Sequence, residues 1–456
     1  MAKIVILGAG LTGISTAYHL EKNGFFDYKI FEKENESGGL CRSIHQDGFT
    51  FDYTGHLLHI NDEYFSKLIF DIVGKENLNE IHRRSYVFSQ ETYTHYPFQI
   101  NLFGLPAETI TECIEGFLTK PKTKKQAKSF YQWAINNFGI GFAKYFFMPF
   151  QTKILDYDIK QISASWTGRF VPQTSLKQII QGAIKEPSIS SVGYNSQFFY
   201  PKTGGINFWV SKLAKMIKNQ INVNFAANSI DLKNKIVHFE NGHEEKFDKL
   251  INTIPLDIAL NKIIDKESTG FKHASKKLVC NSVVNFNLGI SKPDLSDKHW
   301  IYFPETKFPF YRMGFSHNFS KNSAPENHSS LYGEFSYINK SREQINETLK
   351  NSIEITKKLL KIDDKEIVTQ KIINIPHAYV IYNFWREKNL AKLLFELEQN
   401  SIYCAGRYGE WKYSSMQEAV LDGKKIVEKL ILEKPIIPAK KIKEIRISRK
   451  EKQKEY

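Results

Sequence analysis

Cysteine is scarce in this chain: Cys41, Cys113, Cys280 and Cys404 stand far apart and form no CxxC pair. That spacing excludes a disulfide framework or a zinc site, so no metal is expected. Reduced thiols in a cytoplasmic setting are the default. Long apolar runs are missing as well. No window approaches the ~18–20 apolar residues of a membrane span, and the run at Ile4–Leu7 meets Gly8 at once, too early for the core of a secretory signal. The sequence shows no internal repeat, low-complexity linker or mid-chain break, so its domains are expected to be interwoven rather than consecutive.

Acidic residues are in deficit. The formal charge is +14, which attracts polyanions. The excess is uneven, because Lys434–Tyr456 carries nine Lys/Arg against three Glu. This basic tail (434–456) is expected to be a solvated end, with a weak peripheral contact to anionic lipid as the alternative. The basic residues form no aromatic-interleaved platform, so no nucleic acid is expected as a partner. Neither is integral membrane contact, and oligomeric state is left open. Aromatic content of 14% with 41% hydrophobic residues marks a globular chain with a sizeable core.

Ile4–Leu7 reads as a strand buried on both faces. A helix from Ile14 to Asn23 and a strand at Tyr28–Phe31 follow. Helical spacing recurs at Ala107–Leu118, Lys124–Asn137, Gly141–Lys153, Ser175–Lys185, Arg342–Leu360 and Met416–Leu432. Strand patterns occupy Ile221–Ile254, then Val279–Leu288, Ile301–Phe303, Tyr311–Phe315, Ser330–Ser336 and Ile402–Ala405.

Between the first strand and helix lies Gly8-x-Gly10-x-x-Gly13, with Glu32 ending the second strand. Alone the glycines are a weak signal. In this context they form a dinucleotide fingerprint. Gly8 permits the tight turn, Gly10 lets a pyrophosphate approach the backbone, and Gly13 lets helix and strand pack closely. The helix N-terminus offers free N–H groups to phosphate, and Glu32 suits the ribose hydroxyls. The cofactor-binding set expected here is Gly8, Gly10, Leu11, Thr12, Gly13, Glu32 and Lys33.

Gly38-Gly39-Leu40-Cys41-Arg42-Ser43 resembles the Gly-Gly-x-x-Arg-Ser motif of the amine-oxidase, protoporphyrinogen-oxidase and UDP-galactopyranose-mutase superfamily of flavoproteins. The resemblance implies FAD, with Gly39, Leu40 and Arg42 along its pyrophosphate. Val223, Gly406, Arg407 and Met416 are implied as later contacts. Within the superfamily the chain looks most like eukaryotic-type UDP-galactopyranose mutases, through residue 432 or so. Gly55-His56 resembles the mutases' flavin-side histidine loop, while His59 is expected to be an ordinary buried or surface residue. Tyr96-Pro-Phe-Gln99 and the Gly193–Phe198 segment with Asn195 resemble nucleotide-contacting segments. Trp300-Ile-Tyr302 and Tyr311-Arg312 resemble the sugar and diphosphate run. Gly406-Arg407-x-Gly409-x-Trp411-x-Tyr413 resembles a turn whose arginine touches flavin and whose tyrosine touches diphosphate. Arg169 stands one residue early for a second diphosphate arginine, with Phe170 in its place. Phe319 replaces a substrate tyrosine, and Tyr379-Val-Ile-Tyr382 lacks the family's prolines.

The implied fold is α/β: a Rossmann-type FAD-binding domain interwoven with a mixed α+β substrate domain. FAD-binding parts are expected at 1–60, 201–262 and 396–433, a mainly helical substrate part at 61–200, and a sheet-containing part at 263–395. The implied activity is FAD-dependent interconversion of a UDP-hexopyranose and its furanose through a flavin N5–sugar adduct. FAD would act in its reduced form, with NADH or NADPH as reductant. His56, Arg312 and Arg407 would be catalytic. Tyr96, Gln99, Arg169, Asn195, Trp300, Tyr302, Arg312, Tyr379 and Tyr413 would bind the nucleotide sugar. Two rival readings share the N-terminal motif: an FAD-dependent oxidase or desaturase of the protoporphyrinogen-oxidase or amine-oxidase type, and an FAD-binding assembly protein without turnover.

Overall fold

The computed structural model describes residues 3–123, 125–167, 171–185, 196–264 and 268–433. The basic tail, Arg169, Phe170 and Asn195 lie outside them.

Strand β1 (Ile4–Leu7) sits at the centre of a five-stranded sheet. Its order is Ile402–Cys404, Lys249–Asn252, β1, β2 (Tyr28–Phe31), Ile221–Asn222, with every pair parallel. A parallel sheet of this kind is buried on both faces, which is why β1 is wholly apolar. Ile4 and Ile6 pack with Ala17, Leu20, Val427 and Leu430 on one side. Val5 and Leu7 pack with Leu256, Leu260, Leu393 and Leu397 on the other. The α/β class and the Rossmann-type unit expected from the sequence are therefore present.

The second large sheet has seven strands: Ile367–Ile375, Ser282–Ile290, Ser329–Tyr337, Arg312–Phe315, Trp300–Tyr302, Ser85–Ser89 and Thr92–His95, in that spatial order. All its pairs are antiparallel except Trp300–Tyr302 with Ser85–Ser89. Helices between 107 and 184 pack a separate aromatic core around Phe98, Phe130, Phe138, Phe142 and Phe146.

Several element boundaries differ from expectation. The helix expected from Lys124 begins at Phe130, where the Ser129 side chain accepts from Gln132 N. The single helix expected over Gly141–Lys153 is a wider turn at Ala143–Phe147 followed by Met148–Leu155. Pro149 there lacks the N–H an ordinary helical turn would use. Around Val223 the strand stops at Asn222 and resumes at Ala227. Helices at Glu63–Val73, Asn207–Lys215 and Phe384–Gln399 were not expected.

Helix α1 (Leu11–Lys22) leaves β1 through the first glycine turn. A Cβ placed on Gly13 would lie 1.9 Å from the Gly8 carbonyl oxygen, so helix and turn touch backbone to backbone. At Gly10 a Cβ would meet nothing nearer than Gly39 Cα at 4.0 Å. Gly13→Ala should therefore lose about 1–3 kcal/mol of stability by overpacking. Gly10→Ala should stay within about 0.5 kcal/mol of the parent. Urea midpoints measure both; equal midpoints for the two variants would contradict the close approach at Gly13.

Candidate functional site

The first turn of α1 points at a cavity of about 1050 Å³ between the two large sheets. Gly10 caps the helix without any side-chain hydrogen bond, and no acidic residue stands in its first turn. That end is thus an open anion site. The second glycine turn lies against it. Gly38 N donates to Ala9 O at 2.8 Å, and Gly38 bridges Gly10. Glu32 accepts from Ala9 N (2.8 Å) and from Glu34 N (3.1 Å), fixing its carboxylate at the end of β2. Arg42 donates from Nε to Gly39 O at 2.8 Å and lies 4.7 Å over the Tyr53 ring.

Most of the residues expected from the sequence line this cavity. Gly8, Gly10, Leu11, Thr12, Glu32 and Lys33 form one end. Gly39, Leu40, Arg42, Gly55, His56 and Met416 line the middle. Trp300, Tyr302, Arg312, Tyr379, Arg407 and Tyr413 line the other end. Gly13 and Gly406 stand directly behind the wall, Gly13 against Gly8 and Gly406 against Thr12.

Three further expected residues are not brought to the wall. Val223 lies off it; Phe225, Ala226 and Ala227 line the cavity instead, because Phe225 N donates to Glu32 O at 2.8 Å and turns that segment inward. Tyr96 stands one ring behind Tyr302, at 5.2 Å. Gln99 is buried and spends its amide on Pro172 O at 2.9 Å. Phe319, the replacement for a tyrosine, is likewise in core packing, against Phe198, Tyr200 and His299. Arg169 and Asn195 fall outside the described residues.

The far end of the cavity is built on one rung of the seven-stranded sheet. Tyr302 pairs with Arg312, Arg312 with Glu334, and Glu334 with Asn285. Glu334 is fully buried and grips Arg312 in a fork, from Nε at 3.0 Å and Nη2 at 2.8 Å. It also accepts from Gly55 N at 3.3 Å, while Asn285 Nδ2 donates to Tyr53 O at 2.6 Å. The loop that carries His56 is thereby tied to the sheet. Sequence reasoning missed Glu334. Its only signal was a carboxylate inside the otherwise apolar run Leu331–Phe335. His59, expected to be unremarkable, also lines the cavity.

Arg407 is the contrasting cation. Nη2 donates to Ala378 O at 2.7 Å and Nη1 to Ser414 O at 3.2 Å. Its Nε is buried with no partner among the described residues. The guanidinium lies 4.7 Å from the Tyr413 ring and 5.4 Å from Tyr379, whose rings are parallel to each other. Among the described residues it forms no ion pair, whereas Arg312 does.

Burial pushes His56 down to about 4; Glu334 opposes that, and Arg312 and Arg407 add to it. The imidazole is therefore neutral near pH 7, sharing a hydrogen bond with Thr54 Oγ1 at 3.2 Å. Asp52 is pushed up to about 6 by burial, against the donors Ser43 Oγ, Tyr200 OH and Ile206 N. Burial raises the Cys41 thiol to about 12, so it is no nucleophile. Among the described residues no group of His, Cys, Asp and Glu is placed to hold a metal, and no helix is long and apolar enough to cross a membrane.

These features fit FAD. An uncapped helix end and paired glycine turns suit a pyrophosphate, and Glu32 suits ribose hydroxyls.

Comparison with known proteins bears on the fold. The model of an NAD(P)-binding Rossmann-like domain matches residues 6–72. The chain is similar to a reduced UDP-galactopyranose mutase, with TM-score 0.88, 26% identity, and coverage of 95% of this chain and 96% of that one. It shares its fold with a putative protoporphyrinogen oxidase from Exiguobacterium sp. 255-15, at TM-score 0.74 and 15% identity over 95% and 99% of the two chains. It is also 35% identical over 88 residues to the 4,4'-diapophytoene desaturase (4,4'-diaponeurosporene-forming) of Staphylococcus aureus (strain MRSA252). That match spans 19% of this chain and 17% of the desaturase. The architecture is that of the FAD-dependent oxidoreductase superfamily.

Acid should destabilise the fold. Burial lowers His19, His56 and His59 to about 4 and His299 to about 3. Each favours folding above the unfolded value of about 6.5 and loses that contribution as pH falls toward its folded value. Asp52, raised to about 6, acts the other way. Asp156 and Asp422, raised by burial, act with Asp52, and His317, lowered by burial, acts with the other histidines. The histidines are the larger set, so the urea midpoint should drop between about pH 7 and about pH 5. An equal or higher midpoint at the lower pH would contradict neutral, buried histidines.

Proposed function

Starting from a chain with the build of an FAD-dependent oxidoreductase and a mutase-like outline from end to end, we propose a flavin-dependent nucleotide-sugar mutase. Its reaction interconverts a UDP-hexopyranose, of the UDP-galactopyranose type, and the corresponding furanose. The observation that carries this is the far end of the cavity, where half-buried Arg407, its Nε enclosed, has no carboxylate among the described residues and lies beside Tyr379 and Tyr413, next to the rung Tyr302–Arg312. A cation whose enclosed N–H is unspent is a site for an anion. Tyrosine hydroxyls and aromatic faces beside it suit a diphosphate joined to a sugar.

FAD, when bound, supplies a reduced ring whose N5 is nucleophilic toward the anomeric carbon, with NADH or NADPH as the source of electrons. The protein's own part is placement and charge. Arg407 and the free edge of Arg312 take up charge on the departing diphosphate. Trp300 and Tyr302 shape the sugar pocket. Neutral His56, held by Thr54, offers hydrogen bonding at the ring without adding a third cation. Asp52 helps hold the loop that carries it.

One observation favours a second reading. Glu334 already fills the fork of Arg312, leaving that arginine less able to clamp a diphosphate. An oxidase or desaturase acting on an uncharged substrate would have no need of that fork.

Photoreduced, FAD-loaded protein incubated with UDP-galactopyranose should yield a UDP-furanose resolvable by anion-exchange chromatography, with no net oxidation of flavin. Arg407→Lys should lower kcat by roughly 10²–10³, the cost of removing one donor from developing negative charge. Hydrogen peroxide released during turnover of an amine or porphyrinogen, with no furanose formed, would place the chain with the oxidases.

A further inference from the structure

We infer that Lys153 is a positioning residue for the wall that carries Tyr302 and Arg312, gathering both limbs of the turn that joins their strands. The inference rests on that wall being the ligand site proposed above.

Lys153 stands near the end of the helix Met148–Leu155, outside the cavity and in the helical part of the fold. Its Nζ donates to Phe303 O at 2.7 Å, to Glu305 O, and to Phe310 O at 3.5 Å. Phe303 directly follows Tyr302, and Phe310 comes two residues before Arg312. Between them Phe303 N donates to Tyr311 O at 3.0 Å. One ammonium thus collects inward-facing carbonyls of a turn that has left the sheet, groups that need a donor once buried.

The ammonium is itself held still. The carbonyl of the next residue, Ile154, accepts from Asn281 Nδ2 at 2.8 Å, just before the sheet strand Ser282–Ile290, and from Ser336 Oγ at 2.7 Å within the sheet. One helical turn earlier, the Phe150 ring meets the edge of Tyr302 at 5.2 Å. Helix, turn and sheet therefore form one triangle, with Lys153 at its inner corner.

Burial draws Lys153 down to about 7, and the charge of Glu305 opposes that fall. The other charged groups around it are spoken for. Glu305 pairs with Lys307, which also pairs with Glu91. Asp156, just past the end of the same helix, accepts from Ile338 N at 2.7 Å and feels Lys340. From the sheet, Glu334 is engaged with Arg312. A protonated Lys153 has three N–H groups for three carbonyls. The neutral amine has two and turns its lone pair on the third. The staple therefore loosens as pH rises through neutrality.

The test uses UDP as probe on the FAD-loaded protein, with calorimetric affinities at about pH 6 and about pH 8.5, either side of the value of about 7. Lys153→Arg stays charged throughout, and the ratio of wild type to this variant cancels the probe's own ionisation. Wild-type affinity should fall relative to Lys153→Arg by about tenfold at the higher pH. Lys153→Met should bind weakly at both. Hydrogen exchange of the amides from 303 to 312, without UDP, should show protection lost in Lys153→Met and retained in Lys144→Met, an exposed lysine paired with Glu112. Unchanged protection and unchanged UDP affinity in Lys153→Met would overturn the inference. If UDP binds none of the proteins while protection still follows Lys153, the staple stands as a structural device, and both the positioning role and the nucleotide-sugar reading fall.

Discussion

The close approach of two glycine turns governs the rest of the molecule. Gly39 can lie this close to Gly10 because it presents no Cβ: one added there would come within 3.1 Å of Gly10 Cα, in a left-handed backbone conformation besides (φ +58°). Glu32 locks the arrangement from below by accepting from Ala9 and Glu34. The N-terminus of α1 and the turn carrying Arg42 line the same cavity as His56, Arg407 and residues of the seven-stranded sheet.

That sheet serves as wall rather than cover. Tyr302, Arg312, Glu334 and Asn285 occupy neighbouring strands at one level, so pleat and register hold their spacing instead of loop conformation. Groups borne on strands stay closer to a working geometry than groups borne on loops. Glu334 and Asn285 reach back from the sheet to the backbone of Tyr53 and Gly55. The loop that carries His56 and the Tyr302–Arg312 wall are in this way parts of one arrangement.

How much was legible in the sequence follows from how local each feature is. The first glycine motif, the second one and Glu32 were legible, since their meaning lies within about forty residues of chain. Placing Trp300, Tyr302, Arg312, Tyr379, Arg407 and Tyr413 in one cavity depended on likeness to a family, and the structure does bring them together. Tyr96 and Gln99 show the limit of that method. A matching segment puts a residue in the right neighbourhood, but which layer it occupies depends on neighbours such as Tyr302 and Pro172. Glu334 escaped because its partner sits on another strand 22 residues away. The helix at Glu63–Val73 was within reach, given Asp62 as its cap, accepting from Phe65 N. Phe384–Gln399 was harder: only Arg386, Leu390, Leu393 and Leu397 are buried along it.

The two arginines of the cavity differ in a way that bears on how the chain folds and what it awaits. Leaving a buried charge without its partner costs several kcal/mol, roughly 3–5 when one member of a pair is removed. Arg312 escapes that cost because Glu334 comes with the same sheet, so its rung can assemble before any ligand arrives. Arg407 has carbonyls and tyrosine faces but no carboxylate among the described residues, and its Nε is unspent. The histidines nearby are held neutral by burial and neither add to that charge nor offset it. Near neutral pH the far end of the cavity therefore carries an uncompensated positive charge centred on Arg407. A ligand that brings negative charge to that point gains most from entering and also relieves the protein of an unpaired cation, so binding and stability should be coupled there and not at Arg312.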